Sequence, residues 1–179
     1  MSDMMREDLC ERLLALDEEA SLTFTDAERL SVVIAGGSAL VLMEYISRST
    51  RDIDALDVSS KLQGMLEDYD INCRVQTFIN NFPYNYMDRL QPVRLETKLI
   101  DYYTASLEDI VVAKLYSYRD KDYEDVTAPE VLKAVDWETL KRLATAEDEA
   151  KASALNDRNY NDFLINYHRY VEEYGPCKL

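Results

Sequence analysis

Cysteine is scarce in this chain of 179 residues, which has only Cys10, Cys73 and Cys177. Three widely spaced cysteines form no disulfide framework and match no C-x-x-C zinc pattern. A reducing, cytoplasmic setting is therefore expected. His168 is the single histidine. It lies between Tyr167 and Tyr170, where it reads as structural. Glycine and proline number four each, and no repeat, low-complexity segment or linker is visible. Long apolar runs are missing, and the longest is far too short to span a bilayer. The opening stretch MSDMMREDLCERLL has no apolar h-region, so no signal peptide is expected.

Positive charge is also in short supply. Lys and Arg total 20 against 35 Asp and Glu, a formal net charge of -15. Such a chain is repelled by nucleic-acid backbones, which excludes sequence-blind DNA or RNA binding. A specific RNA is left open through a local basic patch or a basic partner chain. The rest of the composition, 47% hydrophobic and 31% charged, is that of an ordinary globular protein. The length suits one domain able to bury a sizeable core.

Apolar spacing predicts a helix over 3–17, with Met5, Leu9, Leu13 and Leu16 in phase. Ser31 to Ala35 (SVVIA) reads as a strand, and Ser38 as the cap of a helix reaching about Ser47. Arg51 to Val58 reads as the next strand, followed by a helix over about 60–69. Residues 80–90 form a turn-rich loop around Pro83. Leu95 to Tyr103 is a strand, and Ser106 opens a helix through Tyr118. Pro129 opens another helix, 138–153 a further one, and 158–174 the last. That last helix has Tyr160, Phe163, Leu164, Tyr167, Tyr170, Val171 and Tyr174 on one stripe. The order implies an α+β fold, a small mixed sheet flanked by helices with a C-terminal helical tail. The expected division is 1–126 as core and 127–179 as a helical region packed on it.

Two features carry chemistry. Gly36-Gly37-Ser38 stands between a strand and a helix. Backbone N–H groups at such a helix start bind anions, and glycine lets a phosphate approach. Taken alone, the glycines read better as a tight βα turn. No G-K-[ST] follows, and the third glycine of a dinucleotide fingerprint is missing. Asp52-Ile53-Asp54 places two carboxylates on one side of a strand, with Ile53 toward the core. Like charges side by side favour a cation between them, and hard oxygens favour Mg²⁺ or Mn²⁺. A solvated strand edge is the alternative. Together the two features are more specific, because one helix brings the phosphate turn and the acidic pair to the same side of a sheet.

GGSA, followed after a helix by Arg48, Thr50, Asp52 and Asp54 in R-x-T-x-D-I-D, resembles the DNA-polymerase-β-like nucleotidyltransferase superfamily. More narrowly it is similar to the small bacterial AbiEii and DUF6036 groups, often found in toxin–antitoxin or phage-defence operons. FPYNYMDRL (82–90) resembles a P-Y-x-x-x-x-R-L segment of the narrower group. LEDIVVAKL (107–115) with RDKDYEDV (119–126) resembles its L-x-D-L-x-x-x-K-L … R-x-K-D-x-x-D-V segment. The motifs cover residues 30–126.

The resemblance implies a Mg²⁺- or Mn²⁺-dependent nucleotidyltransferase with an NTP as substrate. Asp52 and Asp54 would hold metal, and Gly36, Gly37, Ser38, Arg48 and Thr50 would bind the nucleotide. Lys114 would meet phosphate charge or assist proton transfer, with Asp122 or Asp125 orienting it or capping the next helix. The superfamily usually supplies a third carboxylate from a later strand, here Glu96 or Asp101. Alternation sets these two on opposite faces, so at most one faces the site. Tyr84, Tyr86 and Arg89 lie where a base or acceptor contact is expected. The implied acceptor is an RNA 3′ end (tRNA-like) or a protein hydroxyl, and a cognate antitoxin the implied protein partner. The rival expectation is a protein of this fold that binds nucleotide or partner without catalysis.

Overall fold

The computed structural model describes residues 5–25, 28–73, 79–117 and 119–176. The chain divides into two compact units, Met1–Gln76 with Leu90–Ala105, and Thr77–Arg89 with Ser106–Leu179. By contact, residues 106–126 group with the later helices. The fold is α+β as expected, with a five-stranded mixed sheet, helices flanking it and a C-terminal helix.

The first unit holds α1 (Arg6–Thr23), β1 (Leu30–Ala35), α2 (Gly36–Leu42), β2 (Ile53–Val58), β3 (Ile71–Asn72), β4 (Gln91–Pro92) and β5 (Ile100–Thr104). The strand order is β3-β2-β1-β5-β4. β1 runs antiparallel to β2 and parallel to β5. α1 buries Leu9, Leu13, Leu16 and Ala20 at helical spacing. The Tyr102 hydroxyl donates to the Leu13 carbonyl at 2.7 Å, fixing β5 against that helix.

Several elements differ from the sequence expectation, each for a visible reason. Leu95 to Leu99 is not strand. The buried Asp17 carboxylate accepts the N–H groups of Lys98, Leu99 and Ile100 at 2.7–2.9 Å, taking donors a ladder would need. The stretch 60–69 is two short 3₁₀ turns, Ser60–Leu62 and Leu66–Tyr69, rather than one helix. Gly64 lies between them, where a helix interior disfavours glycine. Ser38 is not a cap, because the helix starts two residues earlier with extended Ala35 in the cap position.

The second unit holds α3 (Leu107–Leu115), α4 (Asp120–Val126), α5 (Pro129–Ala134), α6 (Trp137–Thr145), α7 (Ala150–Ser153) and α8 (Asp157–Tyr174). Ser106 caps α3 by accepting the Asp109 N–H at 3.1 Å, as its sequence predicts. The expected 138–153 helix is broken before Glu149, whose carboxylate turns inward to an ion-pair network described below. The expected helix through Tyr118 ends at Leu115, and Tyr118 itself lies outside the described residues. The aromatic stripe of α8 is core: Tyr160, Phe163, Tyr167 and Tyr170 are buried. Phe163 stacks on Tyr116 at 4.2 Å. The hydroxyls of Tyr116, Tyr160 and Tyr170 each donate to a backbone carbonyl at 2.8–2.9 Å. Rings that are apolar with one satisfied polar tip suit such a core. His168 is exposed, its ring 5.5 Å from that of Tyr167. Among the described residues, no helix is long and apolar enough to cross a membrane.

Candidate functional site

β1 passes into α2 without a loop, and the change of direction falls on Gly36, whose φ is +64°. That left-handed conformation disfavours any residue with a Cβ. Space adds a second reason. A Cβ on Gly36 would stand 2.8 Å from Asp54 Oδ2. The approach follows from register, since Ala35 pairs with Asp54 across the β1–β2 ladder. The carboxylate of the second strand thus rests against the backbone of the glycine turn.

Gly37 is crowded from another side. A Cβ there would lie 2.7 Å from Arg48 Nη2. Arg48 also donates through Nη1 to the Ser49 carbonyl at 3.0 Å. Thr50 is buried, and its hydroxyl donates to the Asp52 carbonyl at 3.1 Å. Ser38 is buried as well, and its hydroxyl donates to the Ala35 carbonyl at 2.9 Å. What the turn offers an anion is therefore backbone N–H groups of the first helical turn, and the Ser38 proton is already used.

Asp52 sits in the bend leading into β2, one residue before the strand. Asp52 and Asp54 are both half-buried, and Ile53 and Ala55 between and after them are buried. The spacer role of Ile53 is as the alternation predicts. The alternation does not continue. Val33 pairs with Asp57 and Ile34 with Ala55, so Leu56 is an extra, bulged residue. The bulge sets Asp57 on the same sheet face as Asp54, two β1 rows away, while Leu56 is buried. Period-two reading of the sequence misses this carboxylate.

The third-carboxylate candidates lie elsewhere in the same unit. Asp101 pairs with Ser31, four residues from Ala35 along β1, or about 13 Å. Its carboxylate is engaged by Arg29, with Nε at 3.2 Å from both oxygens, and that bonding holds the carboxyl below its usual range. Glu96 is exposed and borders, with Arg29 and Asp101, a hollow of about 460 Å³. Level with the Gly36 turn, β5 offers Thr104 opposite Ile34, and then buried Ala105. Among the described residues, no three Asp, Glu, His or Cys side chains are grouped to hold a metal ion.

The second unit gathers the other candidates. Lys114 on α3 is 7% exposed, and its amine donates to Asp122 at 2.6 Å and to Asp125 at 2.8 Å. Both aspartates come from α4, which brings its buried face to the lysine. Asp122 therefore orients the lysine and does not cap α4, whose cap position is Arg119. Arg119 Nε also donates to Asp122 at 2.6 Å. Lys114 and Arg119 border a hollow of about 360 Å³ that includes Ser117, Tyr123 and Asn166.

Arg89 is part of the framework of this unit. Its guanidinium bonds to fully buried Asp109 and to buried Glu149 at 2.8–3.1 Å, each through two nitrogens at its closest contacts. Glu149 also accepts from Arg142 at 3.1 Å. Tyr86 is buried, and of the residues expected to contact a base or acceptor in this loop only Tyr84 is exposed.

The geometry thus joins a glycine turn to one aspartate in one unit and clamps a lysine between two aspartates in the other. No curated protein and no solved structure matches the chain. A family model described as "Nucleotidyltransferase of unknown function (DUF6036)" matches residues 11–175, and the chain belongs to this nucleotidyltransferase family.

Proposed function

We propose that the protein is a Mg²⁺-dependent enzyme that moves a nucleoside monophosphate from an NTP to an RNA 3′ end or a protein hydroxyl. The observation that carries this reading is the approach of Asp54 Oδ2 to the Gly36 turn. A methyl at Gly36 would collide with that carboxylate. With glycine there, a carboxylate oxygen lies against the backbone that starts the helix. Two half-buried carboxylates, Asp52 and Asp54, form a hard donor set that suits Mg²⁺ or Mn²⁺ completed by substrate phosphates.

In this reading the backbone of Gly36, Gly37 and Ser38 receives the β- and γ-phosphates, with Arg48 beside Gly37 adding positive charge. Asp52 and Asp54 hold the metal, which when bound neutralises charge building on the phosphates. The acceptor hydroxyl attacks the α-phosphorus in line. The new phosphorus–oxygen bond forms, the bond to the bridging oxygen breaks, pyrophosphate leaves, and the hydroxyl proton passes to solvent or a base. Family resemblance assigns Lys114 to phosphate charge or that proton, with Asp122 orienting it. It also supports a toxin-like role, with a cognate antitoxin as protein partner. Glu96 as a third metal ligand would require approach from its exposed stretch.

A second reading, nucleotide binding without transfer, is favoured by one observation. The last residue of β5, Thr104, pairs with Ile34 one row from the Ala35–Asp54 pair, and neither it nor Ala105 is a carboxylate. Incubating the protein with α-³²P-labelled NTPs and either pooled tRNA or protein acceptors separates the readings. Label in the acceptor that disappears with Asp54→Asn supports transfer. Metal-dependent nucleotide binding without labelled product supports the second reading.

A further inference from the structure

We propose that Thr50 is a positioning residue that sets the backbone of Asp52, and not a nucleotide contact. The inference rests on the reading of Asp52 and Asp54 as metal-holding groups.

Thr50 is 6% exposed. A threonine hydroxyl has one proton to give. That proton is used on the Asp52 carbonyl at 3.1 Å. A phosphate oxygen needs a donor, so the hydroxyl as placed has nothing to offer it.

The same bond answers a problem at Asp52. Asp54 is held by the β1–β2 ladder, through its pairing with Ala35. Asp52 lies before β2 begins and has no such pairing. Its backbone is instead fixed from two sides. Thr50 binds its carbonyl, and the next residue, Ile53, donates its N–H to the Asp70 carbonyl at 3.0 Å. Asp70, in the left-handed region at φ 54°, is itself ion-paired with Arg12 of α1. A metal-holding pair needs both carboxylates in constant relation. The ladder secures one member, and Thr50 together with the Asp70 turn secures the other.

Threonine fits this place better than its neighbours in chemistry. Its branched carbon limits rotation, so the hydroxyl is presented in few orientations. Valine has the same shape without the bond. Serine keeps the bond and loses the methyl.

The test is Mn²⁺ binding to the full chain, followed by electron paramagnetic resonance, for the wild type, Asp54→Asn, Thr50→Val and Thr50→Ser. The expected result is Mn²⁺ binding by the wild type, loss in D54N, and about tenfold weaker affinity in T50V, the size typical of residues that support metal ligands. T50S should stay near the wild type. T50V with wild-type affinity, in a background where D54N has lost binding, overturns the positioning role. A wild type that binds no Mn²⁺, or a D54N protein that binds it equally well, overturns the metal reading and the positioning role with it. If T50V does not melt cooperatively, T50S decides: retained affinity supports the inference, and a tenfold loss contradicts it.

Discussion

Asp54 Oδ2 lies 2.8 Å from the point a Gly36 Cβ would occupy. Two residues 18 positions apart in the sequence are thus packed against each other. Gly36→Ala meets two obstacles, a left-handed φ and the carboxylate. The first alone costs about 1–2 kcal/mol, so G36A should lower unfolding free energy by about 2 kcal/mol in urea titrations. Gly37→Ala meets only the far end of the Arg48 side chain, which can swing aside. Its cost should stay within about 1 kcal/mol. Equal losses for the two variants would contradict the geometry.

The Lys114 amine is held by two buried carboxylates. Lys114→Met leaves Asp122 and Asp125 buried without it, and removal of one member of a buried pair costs about 3–5 kcal/mol. Adding Asp122→Asn and Asp125→Asn to K114M should recover much of that loss, read from thermal melts. Loss of activity in a Lys114 variant therefore informs on chemistry only when its folding is measured alongside.

Asp122 gives the pH dependence a sign. Burial pushes its carboxyl up, but the charge of Lys114 and hydrogen bonds from Lys114, Ser117 and Arg119 outweigh this and hold it below its usual range. A folded-state value below the unfolded one stabilises the fold above the unfolded value, about 3.9. The contribution is lost as pH falls through the folded value. The stability gap between the wild type and Asp122→Asn should therefore be full at pH 6 and shrink below about pH 4, measured by denaturant titration at several pH values. A gap that widens on acidification would reverse the assignment.

Arg89 should behave as a structural arginine. Arg89→Ala leaves buried Asp109 and Glu149 short of their cation, at a cost of about 3–5 kcal/mol. Arg89→Lys should recover only part, because an ammonium cannot reproduce the two-pronged bonding of a guanidinium. Thermal denaturation checks both. If R89A melts like the wild type and loses only acceptor binding, the loop regains a recognition role.

The sequence made Gly36, Asp54 and the strand between helices legible because each follows from local pattern. Glycines mark a turn, and Ile53 between two aspartates marks a face. Ser106 was legible for the same reason, as a cap beside its helix. What local pattern did not show depends on partners far along the chain. Asp17 binds the backbone N–H groups of Lys98, Leu99 and Ile100 across some eighty residues, where β5 begins. Glu149, beyond the end of the helix at Thr145, pairs with Arg89 sixty residues earlier in the chain. The bulge at Leu56, which turns Asp57 toward the Asp54 face, arises from pairing with β1 and has no mark in composition. Motif position placed Thr50 among the nucleotide contacts, and the bond of its hydroxyl to the Asp52 carbonyl is visible only in the fold.

The most direct test of the Gly36–Asp54 contact as part of a metal–nucleotide site is titration calorimetry of Mg²⁺-NTP into the full chain, wild type beside Asp54→Asn. The account predicts saturable, Mg²⁺-dependent binding by the wild type and its loss in D54N with an unchanged melting temperature. Equal binding by the two proteins, or none by the wild type, would contradict it.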